Sequence, residues 1–525
     1  MLVVASEALP FIKTGGLADV AAALPKDLVR LGADVAVMIP MHRLVKDKYF
    51  EQTELVAETT VDLNWRKKYL GIRKLIAASP EPENPEPLSG GRTGTDRSEQ
   101  SASSTVIGCS QQTPCEQTPP ESGPGSPAHA VTTYFIDCED YFGDAVYRGG
   151  DAESEQYLYF CRAVLAAIPL ISWIPDVIHC NDWHTGMIPM LLKTQYGLTP
   201  LGGIKTVFTI HNIKFQGQMD FGLMSDMLSI PRRYYSSRYV EANGCANMLK
   251  AALVFADKIT TVSPTYASEI MYAHYGLGME GVLWSRKRDV SGIVNGIDTE
   301  DFDPLHDTAL ARNFDVDTMR DKWENKKALR KEFALGGSLY SPVICMITRM
   351  TAQKGLDLVR YALEELLNTT DASFIMLGSG DHEYEVFFNY IAAKFPDSAG
   401  VYLGYNEALA RRIYAGSDFL LMPSEFEPCG LSQMIAQRYG SLPIVRETGG
   451  LADTVIPYNQ FTKEGDGFSF GPFNAHDMLH SIRYALDVYR DKPALRLLKK
   501  NAMIKDNSFL SSAKKYLDLY TEIVV

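Results

Sequence analysis

Residues 423–454 read PSEFEPCGLSQMIAQRYGSLPIVRETGGLADT and indicate the fold of this chain. The apolar run 419–422 before it predicts a buried strand, and an acidic turn that contains Glu427 follows. A helical pattern over 430–439 leads to a second short strand, which ends at the glycine turn 449–450. This order of elements predicts an open parallel α/β sheet with a ligand site at the carboxyl ends of its strands.

The glycine turn occurs twice in the chain. Thr-Gly-Gly-Leu-Ala-Asp at 448–453 repeats residues 14–19 letter for letter. This identity predicts two α/β halves that each offer a glycine turn to one shared ligand. The alternative is that each turn only lets a strand pack closely against the segment that follows it. The candidate ligand contacts in the turns are Gly15, Gly16, Thr448, Gly449 and Gly450.

Composition bounds the class of protein. A chain of 525 residues with 46% hydrophobic residues predicts two large globular domains. The formal net charge of −13 argues against a nucleic-acid partner, and an anionic substrate would need a local basic cluster. No apolar run is long enough to span a bilayer, so no membrane partner is expected. The eight cysteines are scattered, which favours a reducing compartment, and the opening strand pattern predicts no signal or transit peptide in the chain as given.

Strand and helix patterns alternate along both ends of the chain, which predicts parallel sheets. Residues 79–130 interrupt this alternation, because Pro, Gly, Ser, Thr, Gln and Glu dominate there and apolar residues almost vanish. Such a segment buries too little surface to offset its chain entropy, so we expect a disordered surface loop. The predicted domains are residues 1–290, which contain this insertion, and residues 291–507.

Three motifs carry a resemblance to a known family. Lys13-Thr-Gly-Gly-Leu, Phe426-Glu-Pro-Cys-Gly-Leu431 and the second Thr-Gly-Gly-Leu resemble the bacterial and plastidial glycogen/starch synthases. These are retaining glucosyltransferases of the GT-B fold, an α/β fold in which two Rossmann-like parallel-sheet domains face each other across a deep cleft. The resemblance implies that the closing helix, within 508–525, packs back on the N-terminal domain.

The resemblance also implies the central site residues. Arg349 and Lys354 follow a predicted strand and match the family's diphosphate-binding cations. Two isolated cations in a loop would otherwise be read as solvated surface groups. Lys13 matches a donor-binding lysine, Glu427 matches the residue that binds glucose hydroxyls, and His184 matches the histidine that donates a hydrogen bond to the transferred sugar. Without the family motif, His184 would be read as a capping or core residue.

Further residues are expected to line the site. Backbone amides after Glu427 are expected to hold sugar and phosphate, with Cys429 serving backbone placement. For His211 and Asn212, structural and cleft-lining roles both stay open. The additional candidates are Asp19, His211, Asn212, Asn247, Gly378, Cys429, Gly430, Leu431 and Ser432.

Two positions depart from the family pattern. Ile435 stands where many retaining GT-B enzymes carry a second glutamate for the nucleotide ribose. Glu155-Gln156 stands where the family usually carries Asp-Asn, which leaves acceptor or sugar contacts there in doubt.

The resemblance predicts glucose transfer from ADP-glucose to the non-reducing end of an α-1,4-glucan, such as glycogen, starch or a maltooligosaccharide. No metal or prosthetic group is expected. UDP-glucose is the alternative donor, and a non-catalytic glucan-binding scaffold is the alternative function. A phosphorylase with pyridoxal phosphate is a further class, although no similarity to its lysine site is present. The expected compartment is the cytoplasm for a bacterial chain, or the plastid stroma for a plant or algal chain without its transit peptide. Oligomeric state stays open.

Overall fold

A computed structural model describes residues 1–76 and 131–524 of the chain. The insertion predicted at 79–130 lies outside the described residues. One compact unit, Met1–Leu75 with Val131–Val525, contains both large sheets.

The strands of the described residues follow in chain order. They are β1 Leu2–Val4, β2 Ala36–Pro40, β3 Thr53–Leu63, β4 Arg66–Leu75, β5 Thr132–Asp137, β6 Val177–Asn181, β7 Lys205–Ile210, β8 Gln218–Met219, β9 Glu241–Ala242, β10 Cys245–Asn247, β11 Lys258–Thr261, β12 Val290–Gly292, β13 Val343–Ile347, β14 Ser373–Gly378, β15 Ala399–Leu403, β16 Phe419–Met422, β17 Leu442–Arg446 and β18 Phe468–Phe470.

The α-helices of the same residues alternate with these strands. They are α1 Gly16–Arg30, α2 Arg43–Tyr49, α3 Gly150–Ala167, α4 Met187–Thr194, α5 Phe221–Leu228, α6 Met248–Phe255, α7 Pro264–Glu269, α8 Ala273–Gly276, α9 Glu280–Ser285, α10 Lys322–Glu332, α11 Leu356–Thr369, α12 His382–Lys394, α13 Glu407–Gly416, α14 Ser432–Arg438, α15 Gly449–Thr454, α16 Ala475–Arg490, α17 Lys492–Ile504 and α18 Phe509–Val524. Short 3-10 turns, such as Trp183–Thr185 and Ala352–Lys354, extend several strand ends.

The described residues of the first half form a nine-stranded sheet in the order β12-β11-β7-β6-β1-β2-β5-β4-β3. The strands from β12 to β5 are parallel, and the hairpin of β3 and β4 adds an antiparallel edge. The chain starts at β1. It then adds β2 on one side of β1, and later β6 on the other side. The strand order therefore reverses between β1 and β6.

The second half repeats this plan in a six-stranded, fully parallel sheet of the described residues, in the order β15-β14-β13-β16-β17-β18. Its strand order reverses between β13 and β16. The prediction of two parallel-sheet halves is confirmed, and β16 has the predicted bounds, 419–422. The helix predicted over 430–439 is shorter, because Gly430 adopts a left-handed φ of +76° and α14 begins at Ser432.

Helices cover both faces of the first sheet, as continuous apolar strands require. One face packs against α3 and α4 through side chains such as Phe160 and Leu191. The opposite face packs against α1 and α18 through side chains such as Leu24 and Tyr516. Residues at the end of the chain thus complete a core that begins at its start.

The chain crosses between the halves twice, and the two crossings lie side by side. Ile297 N donates to Asn507 O at 2.8 Å, and Phe509 N donates to Ile297 O at 3.3 Å. Helix α18 then returns to the first half, where Tyr520 Oη and His179 Nδ1 lie 2.7 Å apart. The predicted boundary between residues 290 and 291 falls inside β12, which belongs to the first sheet.

None of the helices in the described residues is long and apolar enough to cross a membrane.

Candidate active site

The carboxyl ends of the two sheets border a cleft with a cavity of about 1220 Å³. The strands beside the two reversals, β1, β6, β13 and β16, each lead into a loop that reaches this cavity. Open α/β sheets bind their ligands at such points. The predicted site residues that line the cavity are Lys13, Gly15, Gly16, Asp19, His184, His211, Asn212, Arg349, Lys354, Gly378, Glu427, Cys429, Gly430, Leu431 and Ser432.

Glu427 lies in the loop after β16 and is 7% exposed. Its Oε2 accepts hydrogen bonds from Lys354 Nζ at 2.5 Å and from Ser424 Oγ at 3.0 Å. Lys354 comes from the loop after β13, so the ion pair joins the two strands beside the second reversal. Among the described residues no hydrogen-bond donor reaches Oε1 of Glu427, which leaves this oxygen for a hydroxyl in the cavity.

Arg349 also follows β13, and its side chain is exposed at the cavity. It pairs with no carboxylate of the described residues, whereas Lys354 pairs with Glu427. Gly378 closes the strand next to it, and a Cβ added there would lie 1.9 Å from Thr348 O. Glycine is therefore needed at 378, because the end of β14 packs directly against the backbone that presents Arg349.

His184 lies in the turn after β6 and is 6% exposed. Its ring centroid is 4.1 Å from that of Trp183, 4.5 Å from that of Tyr157 and 5.2 Å from that of Tyr147. Burial lowers the pKa of His184 to about 3, so the imidazole is neutral near pH 7. Its Nδ1 is buried and has no partner among the described residues. A neutral ring held by aromatic neighbours can donate one hydrogen bond in a fixed direction.

Asp182 fixes the loop that follows β7. Its Oδ1 accepts hydrogen bonds from His211 N at 2.8 Å and from Asn212 N at 3.4 Å. His211 Nε2 lies 2.9 Å from Asn181 Oδ1, and burial lowers the pKa of His211 to about 3. Burial raises the pKa of Asp182 to about 7. The structure therefore places His211 and Asn212 on the cleft wall, and Asp182 is the residue that sequence reasoning did not single out.

The first glycine turn binds a carboxylate of its own half. Thr14 N, Thr14 Oγ1 and Gly15 N donate to the Glu7 carboxylate at 2.5, 2.7 and 3.2 Å. The Gly15 amide therefore already has an acceptor, although Gly15 lines the cavity, and its predicted contact with the donor stays a prediction. Gly16 begins α1 and lines the cavity, so its amide has no partner within the helix. Burial raises the pKa of Glu7, which the hydrogen bonds from the turn partly oppose.

Lys13 and Asp19 form an ion pair at the cavity, with 2.8 Å between Nζ and Oδ1. Burial raises the pKa of Asp19, and Lys13 opposes that rise. Tyr405 lines the same cavity from the second half and is 76% exposed. Sequence reasoning missed Tyr405, although its place just after β15 is the signal that identified the other cleft residues.

The second glycine turn does not line the cavity. Thr448 Oγ1 and Gly449 N donate to Glu269 Oε1 at 2.9 and 3.0 Å, and Gly450 N donates to Glu427 O at 3.0 Å. The predicted substrate contacts of Thr448, Gly449 and Gly450 are corrected, because their donors are occupied and lie behind the cleft wall. The geometry therefore does not bring both turns into contact with one ligand.

Asn247 is not among the residues that line the cavity. It caps α6, since its Oδ1 accepts from Lys250 N at 2.8 Å, and its Nδ2 donates to Gln216 Oε1 at 2.8 Å. The side chain is fully buried. These contacts assign Asn247 a structural role as the cap of α6, and its predicted substrate contact stays a prediction.

At the start of α3 the cavity is lined by Glu153 rather than by Glu155-Gln156. Gln156 is fully buried, and its Nε2 donates to Val146 O at 3.0 Å. Glu153 Oε2 accepts from Gly149 N at 2.7 Å. Glu155 lies two positions after Glu153 and faces a different direction, and the Gln156 amide is buried and already paired, so the doubtful alignment there did not identify the cleft residue.

Cys429 serves the backbone of the loop rather than chemistry. Burial raises the pKa of its thiol to about 12, so it holds no reactive thiolate near pH 7. Gly430 follows with a left-handed φ of +76°. This turn directs the chain from Glu427 into α14, and Leu431 then meets Gly16 of the first half, where an added Cβ would lie 3.7 Å from Leu431 Cδ1.

Two parallel-sheet halves that share a cleft at their carboxyl ends define the class: a glycosyltransferase of the GT-B fold. The catalytic domain of starch synthase IV from Arabidopsis thaliana, bound to ADP and acarbose, superposes with a TM-score of 0.83 at 29% identity, over 100% of this chain and 99% of that chain. A sucrose-phosphate synthase from Thermosynechococcus elongatus shares the fold with a TM-score of 0.56 at 15% identity.

Sequence comparison narrows the class to a family. The model of the starch synthase catalytic domain matches residues 1–81 and 100–285, and that of glycosyl transferases group 1 matches residues 330–504. The glycogen synthase of Geobacillus thermodenitrificans is 44% identical over 100% of this chain and 98% of its own length. That of Bacillus cereus strain B4264 is 42% identical over 100% and 99%. The chain belongs to the glycogen/starch synthase family and is a glycosyltransferase.

Proposed function

We propose that this chain transfers glucose from ADP-glucose to the non-reducing end of an α-1,4-glucan, with retention of configuration. The observation that carries the proposal is the convergence of Lys13, Arg349, Lys354 and Glu427 on one cavity. Three cations beside a carboxylate suit a donor that joins a diphosphate to a sugar.

Arg349 and Lys354 are proposed to hold the diphosphate. Both come from the loop after β13, and the open guanidinium of Arg349 can bind phosphate oxygens in bidentate fashion. As the bond between glucose C1 and the diphosphate oxygen breaks, negative charge grows on the diphosphate. Fixed cations in a water-poor cleft stabilise that charge.

Glu427 and His184 are proposed to hold the glucose. Oε1 of Glu427 accepts a hydrogen bond from a sugar hydroxyl, and the neutral His184 ring donates a hydrogen bond to another oxygen of the sugar. The acceptor O4 then attacks C1 from the face that the diphosphate leaves. Its proton passes to a departing diphosphate oxygen, so one C–O bond forms, one breaks and configuration is retained.

Tyr405 offers a stacking surface for the base of the donor. It is 76% exposed and lines the same cavity as Lys13, so its ring is open to a base. Stacking of a base on an aromatic ring stabilises binding by about 1–3 kcal/mol. This contact does not distinguish the two donors, but the starch synthase IV structure holds ADP, which favours ADP-glucose over UDP-glucose.

We propose that transfer needs no metal or prosthetic group, with the cations of the cleft in the role that a metal has elsewhere. Within residues 1–76 and 131–524, no three His, Cys, Asp or Glu side chains are grouped to hold a metal ion. The bacterial sources of the compared glycogen synthases favour the cytoplasm over the plastid stroma as compartment.

The test is transfer of labelled glucose from ADP-glucose, and in parallel from UDP-glucose, to glycogen. The Glu427→Ala variant should lose transfer by at least about a hundredfold. Glu425→Ala is the matched control, because Glu425 is exposed in the same turn and does not line the cavity. Addition of EDTA should leave the rate unchanged.

Incorporation from ADP-glucose that Glu427→Ala loses and Glu425→Ala keeps would support donor, reaction and site together. Faster transfer from UDP-glucose would retain the enzyme class and overturn the donor. Binding to glycogen without transfer from either donor would overturn the synthase proposal in favour of the scaffold.

A further inference from the structure

The second glycine turn is buried at the contact between the two halves. Thr448 is fully buried, and its Oγ1 donates to Glu269 Oε1 at 2.9 Å. Gly449 N donates to the same oxygen at 3.0 Å. Glu269 ends α7, which packs on the first sheet, whereas the turn follows β17 of the second sheet. We name Glu269, Thr448 and Gly449 the inter-half clamp.

Two further contacts flank the clamp. Thr265 donates from N and Oγ1 to the Asp453 carboxylate at 2.8 and 2.7 Å. Ser263 Oγ donates to Pro428 O at 2.8 Å. All of these first-half groups lie within residues 263–269, so one short segment holds the back of the loop that carries Glu427.

The clamped turn touches the backbone of that loop. Gly450 N donates to Glu427 O at 3.0 Å and to Pro428 O at 3.2 Å. A Cβ added at Gly449 would lie 2.0 Å from Glu427 O, and one added at Gly450 would lie 2.2 Å from Cys429 O. Because no side chain fits between them, a displacement of the turn is transmitted to Glu427.

We propose that Glu269 is a positioning residue, whose carboxylate couples contact between the two halves to the placement of Glu427 in the cleft. The inference rests on the proposed function, since it assigns Glu269 a part in the same transfer. Glu269 does not line the cavity, so it acts through the turn and not on the substrate.

The chemistry of the clamp fits this part. A carboxylate that accepts from a hydroxyl and an amide forms charge-assisted hydrogen bonds, which are stronger than neutral ones. These bonds exist only while the halves touch, because acceptor and donors belong to different halves. Oε2 of Glu269 is buried and has no partner among the described residues, so Oε1 carries the contact. The repeated turn in the first half binds Glu7 in the same way but within one half.

The experiment compares Glu269→Ala and Glu269→Gln with the unsubstituted chain. We measure kcat, the KM for the donor, the KM for glycogen and Tm. Glu269→Ala should lower kcat/KM for the donor by about tenfold or more, the loss expected of a charge-assisted hydrogen bond. Because Gln keeps an oxygen acceptor for the turn, Glu269→Gln should recover part of this loss. The KM for glycogen should stay within about twofold, because loss of the contact acts through the donor loop.

Glu280→Gln is the matched control. Glu280 Oε2 accepts from Gly278 N at 2.9 Å, a carboxylate–amide contact that stays within the first half. This variant should keep all four parameters. Thr448→Val removes the hydroxyl of the clamp, and combined with Glu269→Ala it should add little further loss, because partners in one contact are not additive.

Activity of the unmodified chain comes first, since its absence would contradict the proposed function and not the clamp. With an active parent, full activity of Glu269→Ala would overturn the positioning role. An equal rise of both KM values with a lowered Tm would show that the clamp contributes only to packing. Additive effects of Glu269→Ala and Thr448→Val would show the same. Should Glu269→Ala fail to fold, Glu269→Gln and Thr448→Val decide the same question.

Discussion

The ion pair between Lys354 and Glu427 shows how one contact serves both stability and chemistry. Glu427 is 7% exposed, and its Oε2 accepts a hydrogen bond from Lys354 Nζ at 2.5 Å. Removal of one member of a buried pair leaves the other charge without compensation, which costs more than removal of both. Each residue therefore constrains which substitutions its partner tolerates.

Lys354→Met should lower the free energy of unfolding by up to about 3 kcal/mol and kcat by about a hundredfold or more. The double variant Lys354→Met/Glu427→Gln should regain stability without regaining activity, because the unpaired charge is gone while the site stays incomplete. Urea unfolding measures the free energy of unfolding, and transfer assays measure kcat. Lys327→Met, which breaks the exposed pair with Glu324, is the control and should change stability by about 0.5 kcal/mol at most. Unchanged stability of Lys354→Met would contradict the expectation.

The buried carboxyl of Asp182 predicts a pH dependence of stability. Burial raises its pKa to about 7, against about 3.9 in an unfolded chain. Because the folded pKa is the higher one, the folded state binds the extra proton between these values. The stabilising contribution is full below about pH 4 and is lost as the pH rises through about 7.

Asp182→Asn keeps an oxygen acceptor for the amides of His211 and Asn212 and removes the titration. The stability of this variant relative to the parent should rise from about pH 4 to 7, by at most about 1.4 kcal/mol per pH unit, and stay constant above. Urea unfolding across this range measures the difference. Asp62→Asn, at an exposed position, should give a parallel curve. A constant difference for Asp182→Asn would show that the carboxyl does not titrate in this range.

At the scale of elements, the two identical glycine turns have different surroundings. The turn at 14–16 follows β1 and receives Glu7 from the same half. The turn at 448–450 follows β17 and receives Glu269 from the other half. The same six residues thus bind a carboxylate in both places, while the surrounding chain decides whether the turn lines a cleft or joins two halves.

Helix α6 provides the prediction at this scale. Asn247→Ala should lower the free energy of unfolding by about 1–2 kcal/mol, because the α6 cap and a partner of Gln216 are lost. Both KM values should stay within about twofold, since the residue does not line the cavity. Asn247→Ser, which can still cap the helix, should recover part of the stability. An increased donor KM at unchanged Tm would restore Asn247 as a substrate contact.

At the scale of the molecule, the last helix completes the first core. Phe509, Ala513, Tyr516 and Tyr520 of α18 pack into the cluster that contains Val3 and Leu24. The first half is therefore built from both ends of the chain, and the two crossings near 297 and 508 hold the halves together.

A chain that stops after Asn507 should fail to form a stable first half and should aggregate, because the apolar face that α18 covers is exposed to water. Differential scanning calorimetry and solubility test this, and a chain that stops after Tyr520 is the control. Residues 521–524 are mostly exposed, so the control should keep Tm and activity. A stable, soluble chain ending at 507 would show that α18 is dispensable for folding.

The two parallel sheets could be predicted from the sequence alone, because continuous apolar strands that alternate with amphipathic helices permit few other arrangements. The motifs around Lys13, His184, Arg349 and Glu427 also indicated the loops after β1, β6, β13 and β16 as the candidate site. These features depend on residues close together in the chain, so local patterns contain them.

The packing of segments distant in sequence settles which groups are free to meet a ligand. Partners far along the chain accept from or donate to Asn247 and the turn at 448–450, and no local pattern contains those partners. The pKa of Asp182 likewise follows from burial beneath loops that come from elsewhere in the chain. Identical sequences such as the two glycine turns therefore acquire different roles, because a donor or acceptor is defined by what packs against it.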